Sequence, residues 1–272
     1  MIEGTFNLFH WKRKFMKFAI LFSCLFLSFS ALARRGMPVG EVIDIAGDAD
    51  RMFLVSKPEV NKRKKQGLDL FRRVYAGDLI VTHDNSRVKI KLQDGTKITL
   101  GANSSVELRE FDLFPARARK VIVYQNWGKI RVNVSRRGQY KDTVQLKSKF
   151  LTVGMKNGSE VLSNIYQVNS KTSNDIMVVK RSAHLLGAVN NQRGKVITMR
   201  SGEFYNNHMV HNNKWWDLPK LSKKALAYIK RKRNYLLPNL RLKDGSLYPL
   251  TRSLKSLLSG QTVSLRQSSI KK

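Results

Sequence analysis

The chain has 272 residues, of which 51 are Lys or Arg and 19 are Asp or Glu, so its formal net charge is +32. With 42% hydrophobic residues, it is too apolar for a disordered basic tail and can build a core. Its single cysteine, Cys24, excludes a disulfide scaffold and a cysteine-ligated zinc site. This charge predicts a polyanion or an anionic surface as the partner, and nucleic acid is the first candidate.

The first 33 residues have the three-part layout of a secretory signal peptide. A positive segment at residues 12–17 precedes an apolar run at residues 18–30, and Ala31 and Ala33 are the small residues that a signal peptidase reads. The apolar stretch to Ala33 is shorter than the roughly 20 residues that a membrane-spanning helix needs. The pattern therefore favours cleavage over an uncleaved anchor.

Cleavage changes the charge and the compartment. Removing residues 1–33 takes away four Lys or Arg, one Glu and the cysteine, which leaves 47 basic and 18 acidic residues and a charge of +29. Met16 is an alternative start, because residues 16–33 form a complete signal by themselves. No later apolar run approaches spanning length, so we predict a periplasmic or secreted mature protein without a transmembrane segment. Export disfavours nucleic acid as the partner.

Short strands of alternating polarity dominate the chain after this leader. Residues 87–92 alternate strictly between apolar and basic side chains, which is typical of a half-buried strand. Residues 97–100 and 129–134 repeat the pattern, and Asp94-Gly95 has the signature of a hairpin turn. The other predicted strands are residues 42–45, 78–82, 106–109, 121–124, 143–146, 150–153, 165–168, 176–180, 184–186 and 196–199, with a last candidate at Phe204.

Regularly spaced strands joined by turn residues predict a mainly β fold over residues 34–213. The alternatives are an antiparallel β-roll or sandwich and a short β-solenoid-like domain, and no repeat of fixed length supports a regular solenoid. Residues 56–73 are rich in Lys and Arg and are predicted to form an exposed basic loop.

Residues 214–272 are predicted to form a basic, partly helical tail, with 15 Lys or Arg and two Asp, a net charge of +13. Ser222 is a candidate N-cap for a helix that runs to Leu237, before Pro238. A second short helix fits residues 249–259.

The first tail helix is basic and amphipathic, which leaves two interpretations. It could lie on an anionic membrane surface, or it could dock its apolar side on the β domain. We favour docking, because covering a sheet edge stabilises a small domain. The candidate contact residues of the tail are Trp215, Trp216, Lys223, Lys224, Lys230, Arg231 and Arg233, with the two tryptophans at the junction.

The chain shows no recognised catalytic motif. It contains no nucleophile elbow, Walker loop or H-E-x-x-H sequence. His208 and His211 are three residues apart, but no carboxylate or cysteine lies beside them, so we predict exposed loop histidines. Asp94 and Asp244 precede glycines and are predicted turn formers. We therefore predict no enzymatic activity, no metal and no cofactor.

The basic surface is the strongest functional lead. Six residues on predicted outward strand faces form the candidate anionic-ligand surface: Arg87, Lys89, Lys91, Lys97, Lys129 and Arg131. In an envelope such a surface meets lipopolysaccharide phosphates, anionic lipid head groups, peptidoglycan carboxylates and acidic proteins. The alternative is a solvated face, although a charge of +29 exceeds what solubility needs.

Five segments together resemble the FecR domain family. They are residues 40–47, 76–82, 86–100, 104–108 and 128–132. They match its opening Gly-x-Val strand, its Gly-Asp-x-Ile-x-Thr element, its strand–Asp-Gly-Thr–strand pattern, the next strand and a Gly-x-Ile-Arg-Val strand. This resemblance implies an exported module that senses, scaffolds or binds at the bacterial envelope.

The leading hypothesis is an exported, non-enzymatic binding, sensing or scaffolding module. Its expected partner is an anionic envelope component (lipopolysaccharide, peptidoglycan or anionic lipid) or an envelope protein. The alternative is a periplasmic signalling partner of a membrane regulator. An envelope hydrolase and a secreted nucleic-acid binder are less favoured, the latter because no base-stacking motif accompanies the charge.

Overall fold

The computed structural model describes residues 36–54, 63–114, 118–136, 144–168, 170–187, 196–207, 218 and 220–237. Contacts within the chain divide it into two units, Met1–Met37 and Pro38–Lys272. Several predictions fall outside the described residues: the signal peptide with Ala31 and Ala33, the loop histidines His208 and His211, Trp215 and Trp216, and the helix at residues 249–259.

Strands dominate the described residues, which contain sixteen strands and one helix. These are β1 (Pro38–Ala46), β2 (Ala49–Leu54), β3 (Arg63–Gly67), β4 (Arg73–Tyr75), β5 (Leu79–Thr82), β6 (Arg87–Leu92), β7 (Lys97–Leu100), β8 (Ser104–Phe114), β9 (Ala118–Asn133), β10 (Val144–Lys147), β11 (Leu151–Met155), β12 (Glu160–Val168), β13 (Lys171–Lys180), β14 (Ser182–Gly187), β15 (Val196–Arg200), β16 (Phe204–Asn206) and α1 (Lys223–Arg231). The prediction of a mainly β fold is confirmed.

The long strand β9 belongs to two sheets. Its segment 128–133 lies in the first sheet, of order β4-β1-β6-β7-β9-β12-β13-β16. Its segment 118–127 lies in the second sheet, of order β3-β2-β5-β8-β9-β10-β11-β14-β15. Among the described pairings only β9–β10 is parallel. Buried apolar side chains of both sheets belong to one core cluster.

Strand β9 passes from one sheet to the other at Gly128. Trp127 lies opposite Ser105 in the second sheet, whereas Gly128 lies opposite Ile165 in the first. Gly128 has a φ of 83°, in the left-handed region that glycine adopts readily. A Cβ at this position would lie 2.3 Å from Ser104 Oγ and 2.4 Å from Ser104 Cα. The crossing therefore requires a glycine for its backbone angle and for the space around it.

The substitution Gly128→Ala is expected to destabilise the protein more than Gly77→Ala. Gly77 has almost the same φ, 84°, but no atom lies within 4 Å of a Cβ built there. The second variant therefore isolates backbone strain, about 1–2 kcal/mol, and the first adds a steric clash of roughly 1–3 kcal/mol. Urea denaturation of both variants and the parent chain measures the difference. Equal losses would contradict the requirement for space at the crossing.

The predicted boundaries are best where polarity alternates. β6 and β7 have the predicted bounds, and the strands predicted at residues 121–124 and 129–134 are two parts of β9. The loop predicted at residues 56–73 is wrong in part, because it contains β3 and its last residue begins β4. β3 lies at the edge of the second sheet, with Lys64 and Lys65 exposed. Charged side chains suit an edge strand, but they conceal the alternation on which prediction depends.

The turn between β6 and β7 forms as predicted. The Asp94 carboxylate accepts a hydrogen bond from the Thr96 backbone N–H at 2.9 Å and from the Thr96 hydroxyl at 2.6 Å. The backbone N–H of Leu92 donates to the Thr96 carbonyl at 2.8 Å, which closes the hairpin. Asp94 is therefore a turn former that bonds the amide of its own turn.

Helix α1 begins as predicted and ends earlier. Ser222 is its N-cap, and its hydroxyl oxygen accepts the Ala225 backbone N–H at 3.3 Å. The predicted end at Leu237 is wrong, because the helix stops at Arg231 and the chain continues in a turn. The guanidinium of Arg131, on β9, binds backbone carbonyls in and beyond the last turn of the helix. This contact satisfies carbonyls that lack partners at a helix end.

The described part of the tail packs on the outer face of the first sheet. A cluster distinct from the main core joins four sheet residues, Leu162, Met177, Val179 and Phe204, to three tail residues, Ile229, Tyr235 and Leu237. Docking of the tail helix is therefore confirmed. The helix covers a sheet face, whereas the prediction placed it at a sheet edge.

Candidate functional site

The outer face of the first sheet carries the predicted basic residues on three neighbouring strands. Lys91 of β6 lies opposite Lys97 of β7, and Lys89 lies opposite Thr99. Thr99 in turn lies opposite Arg131 of β9. Directly opposed residues share a sheet face, and alternation adds Arg87 and Lys129 to it. All six residues of the predicted surface therefore originate on one side of the sheet.

Arg131 is buried on this face, whereas the strand pattern predicted an outward, solvent-facing position. Its Nε donates to Glu160 Oε1 at 2.7 Å, and its Nη1 donates to the carbonyls of Lys232 at 2.6 Å and Tyr235 at 3.2 Å. Its Nη2 donates to the carbonyl of Ile229 at 3.3 Å. The reason for the difference is the tail, which covers β9 at this point. Arg131 therefore holds the tail and is withdrawn from the surface.

Arg87 is also partly engaged. Its Nη2 lies 3.4 Å from Asp44 Oδ2 on β1, and both side chains are about one third exposed. Glu41, also on β1, lies opposite Lys91 and is exposed. The acidic side chains of β1 thus border the basic residues on one side.

The basic side chains of the strands and of the tail lie close enough to affect one another. Burial lowers the pKa of Lys89 below its ordinary value; Asp44 opposes this shift, and the charges of Lys97, Arg131 and Arg233 add to it. Burial is the main cause of the shift, and the three cations contribute less to it. We call four residues of this region the cationic face: the half-buried Lys89 and the exposed Lys91, Lys97 and Arg233.

A direct contact joins the predicted sheet surface to the tail. Lys89 Nζ donates to Asn234 Oδ1 at 3.3 Å, so the segment after α1 extends onto β6. The predicted tail cations that the structure describes are all exposed: Lys223, Lys224, Lys230, Arg231 and Arg233. Of these, Arg233 lies close enough to Lys89 for its charge to act on that lysine.

Glu160 is the residue of this region that the sequence interpretation missed. Its carboxylate is buried and forms ion pairs with Arg131 and with the half-buried Lys180. The available signal was a single acidic residue beside the apolar pair Val161 and Leu162. A charge buried in such surroundings requires a partner, but its spacing along the chain does not identify that partner.

The described histidines bond residues outside the cationic face. His83 Nε2 is 2.6 Å from Asp50 Oδ2, and His184 Nδ1 is 3.1 Å from Thr198 Oγ1. Burial acts to raise the pKa of Asp50, but bonds from His83 and Lys65 outweigh it and lower that pKa. Within the described ranges, no three His, Cys, Asp or Glu side chains are grouped as metal ligands would be. In the same residues, no helix has the length and hydropathy of a membrane span.

The family comparison gives one match. Residues 78–180 match the family model described as FecR protein. The matched segment runs from the start of β5 to the end of β13. It therefore includes β6, β7 and β9, the three strands that carry the predicted basic residues. The resemblance found in the sequence is confirmed. No curated protein sequence matches the chain.

Three solved structures show distant likeness. A "Cell surface anchoring domain" is 22% identical, with a TM-score of 0.23, over 26% of this chain and 86% of that one. Two crystal structures of a candidate anti-sigma factor from Parabacteroides distasonis ATCC 8503 are each 15% identical. Their TM-scores are 0.40 and 0.42, over 57% and 61% of this chain. The matches span 64% and 70% of those two chains.

Proposed function

We propose that this chain, whose residues 78–180 match the FecR protein family model, is an exported, non-catalytic binding module of the bacterial envelope. In this proposal the cationic face binds the phosphate groups of an anionic envelope component. Lipopolysaccharide and anionic lipids both present such groups. Lys and Arg bind them through charge-assisted hydrogen bonds, which weaken as salt rises.

The observation that carries the proposal is the opposition of Lys91 and Lys97. These two lysines face each other across β6 and β7, and both are exposed. Like charges directly opposite one another destabilise a sheet. Glu41 of β1 lies opposite Lys91 on its other side and offsets part of this repulsion, and a bound anion would offset the remainder. The pair is therefore better suited to a ligand than to the stability of the isolated domain.

The docked tail strengthens this argument. Arg233 lies near enough to Lys89 to lower its pKa, although each added cation increases the repulsion on the face. The arrangement concentrates charge from two separate parts of the chain on one surface. A solvated face would gain nothing from such concentration, whereas a polyanion would contact both parts together.

The test is sedimentation of the full mature chain with vesicles of anionic phosphatidylglycerol or of neutral phosphatidylcholine, at low and at high salt. We expect binding to the anionic vesicles alone, with a steep loss at high salt. The double variant Lys91→Gln, Lys97→Gln should bind about 30-fold more weakly, since each cation near an anionic surface contributes about 1 kcal/mol. Parallel assays with purified lipopolysaccharide and with peptidoglycan sacculi distinguish the sources of the anion.

A charge-matched control separates a specific face from the overall charge of the chain. Lys64 on β3 and Lys156 after β11 are exposed and lie away from β6 and β7. The double variant Lys64→Gln, Lys156→Gln should keep nearly all of the binding. Equal loss in both double variants, or equal binding to neutral vesicles, would contradict the proposal. Salt-resistant copurification of an envelope protein, without vesicle binding, would replace it with the signalling alternative.

A further inference from the structure

A groove of about 740 Å³ opens beside the crossing point of β9. Side chains of β9, β12 and β13 and of two connecting segments line it. Its aromatic members are Trp127, Phe150 and Tyr166, and its charged members are Lys129 and Lys149. A concave site with aromatic walls and a few polar groups is the usual form of a small-ligand site.

A β-bulge in β9 sets the position of Trp127 beside this groove. In the pairing of β8 with β9, Ser105 lies opposite Trp127 and Val106 opposite Gln125, so Asn126 is an extra residue in β9. Such a bulge redirects the neighbouring side chains. Two bonds fix it: Asn126 Nδ2 donates to Ser105 Oγ at 3.2 Å, and Gln125 Nε2 donates to the Gly128 carbonyl at 2.7 Å.

The result is an indole that stays half exposed, at 49%, directly before the glycine at which β9 changes sheets. A single exposed apolar side chain needs no explanation, but this indole lines a concave groove together with two other aromatic side chains, which is the usual form of a ligand site. The face of an indole stacks on the C–H groups of a sugar ring as well as on flat rings.

The polar members of the groove specify the charge of that ligand. Lys129 and Lys149 line it, and no described lining residue is acidic. Lys129 is half-buried, and this burial lowers the pKa of its ammonium group. The amide side chains of Asn103 and Gln167 also line the groove, and amides form hydrogen bonds with sugar hydroxyls.

We infer that the groove binds a carboxylate-bearing glycan, with one sugar ring on Trp127 and its carboxylate at Lys129 and Lys149. Single-stranded nucleic acid is the competing occupant, because it also combines stacking with negative charge. It binds along a track of cations with several exposed stacking platforms, whereas this lining has two lysines, and Trp127 is its one exposed ring, since Phe150 and Tyr166 are half-buried. This inference is separate from the cationic face and extends the proposed function to a second ligand class.

Calorimetric titration of the full mature chain with oligogalacturonate tests the inference, with the methyl-esterified oligosaccharide as the uncharged probe. We expect the acid form to bind at least tenfold more tightly. Trp127→Ala should reduce that affinity at least tenfold, Trp127→Phe should restore most of it, and Lys149→Gln should reduce affinity for the acid form alone. Soluble peptidoglycan fragments, tested in parallel, distinguish a cell-wall source from an extracellular acidic polysaccharide.

Leu113→Ala is the matched control, because Leu113 is an exposed apolar residue of β8 outside the groove. It should leave oligogalacturonate affinity unchanged, and thermal unfolding should show that all variants fold. Unaltered affinity in Trp127→Ala, equal binding of the methyl ester, or tighter binding of single-stranded DNA would overturn the inference. The lipid assay uses a different probe and different residues, so either proposal can fail alone.

Discussion

Replacing Arg119 by methionine is expected to lower the free energy of unfolding by about 3–5 kcal/mol. Arg119 lies at the start of β9, and its Nη1 is 2.6 Å from Asp94 Oδ2 in a pair whose two side chains are fully buried. Its Nη2 donates to Asn157 Oδ1 at 2.6 Å. Methionine fills much of the same volume, but it leaves the Asp94 carboxylate in the interior without its counter-ion. An uncompensated buried charge is the cause of the expected loss.

A double-mutant cycle with Asp94→Asn tests this explanation. The asparagine side chain would keep an oxygen for the Thr96 backbone N–H but would remove the carboxylate charge that faces Arg119. Each single variant therefore breaks the buried pair from one side, and the double variant removes both of its charges. We expect the double variant to lose clearly less stability than the sum of the two single losses. Additive losses in urea denaturation would contradict the ion-pair explanation.

The next residue of the chain provides a matched control. Lys120 lies 2.6 Å from Glu110 in an exposed pair, and that hydrogen bond is the main cause of its raised pKa. Exposed pairs of this kind contribute little to stability. Lys120→Met should therefore change the denaturation midpoint far less than Arg119→Met. Similar losses at both positions would indicate that the β-strand tolerates neither change, whatever the burial of the charge.

This pair shows what the sequence could and could not predict. The Asp94-Gly95 turn follows from local chemistry, since the side chain bonds the amide two residues later. The part played by Arg119 depends on a partner 25 residues away in the chain. Only the position of the start of β9 within the fold brings the two together. Local turns are thus predictable where the ion pairs that secure them are not.

The same distinction applies to the candidate surfaces. Alternation predicted the face that carries Lys89, Lys91 and Lys97, because a period of two fixes which side chains share a side. It could not predict that the tail covers Arg131, because amphipathicity shows that a helix has an apolar side without showing where it docks. The sequence pattern did not predict the exposure of Trp127 for a related reason. That exposure depends on a β-bulge and on the glycine after it, and neither follows from alternation.

The sequence did not predict β3, at the edge of the second sheet, for a different physical reason. β3 reads Arg-Lys-Lys-Gln-Gly and has no apolar residue to mark a buried face. Its backbone pairs with β2, and backbone pairing depends little on side-chain polarity. A search for alternating polarity does not detect strands that are stabilised mainly by backbone pairing with a neighbour.

Replacing Arg131 by methionine is expected to release the tail from the first sheet and to cost about 3 kcal/mol of stability. The guanidinium donates to the carbonyls of Ile229, Lys232 and Tyr235 and pairs with Glu160, all from a buried position. Lys180 remains as a partner for Glu160, which places the loss at the lower end for a broken buried pair. A helix of nine residues is not stable alone in water.

Hydrogen–deuterium exchange over α1 measures this release, because the helix amides should exchange much faster once the contacts with β9 are lost. Tryptic cleavage after Lys230 should accelerate in parallel. The control is Arg87→Met on the same sheet face, whose pair with Asp44 is partly exposed and does not involve the tail. It should leave α1 protected.

The two readouts together decide how the tail is held. If Arg131→Met exposes α1, the buried guanidinium is the main clamp, and the variant should also bind anionic vesicles more weakly, since Arg233 then leaves the cationic face. If α1 stays as protected as in Arg87→Met, apolar packing of Ile229 and Leu237 on the sheet suffices to hold it. In that case Ile229→Ala becomes the variant expected to release the tail, at about 2–5 kcal/mol for a truncated core residue.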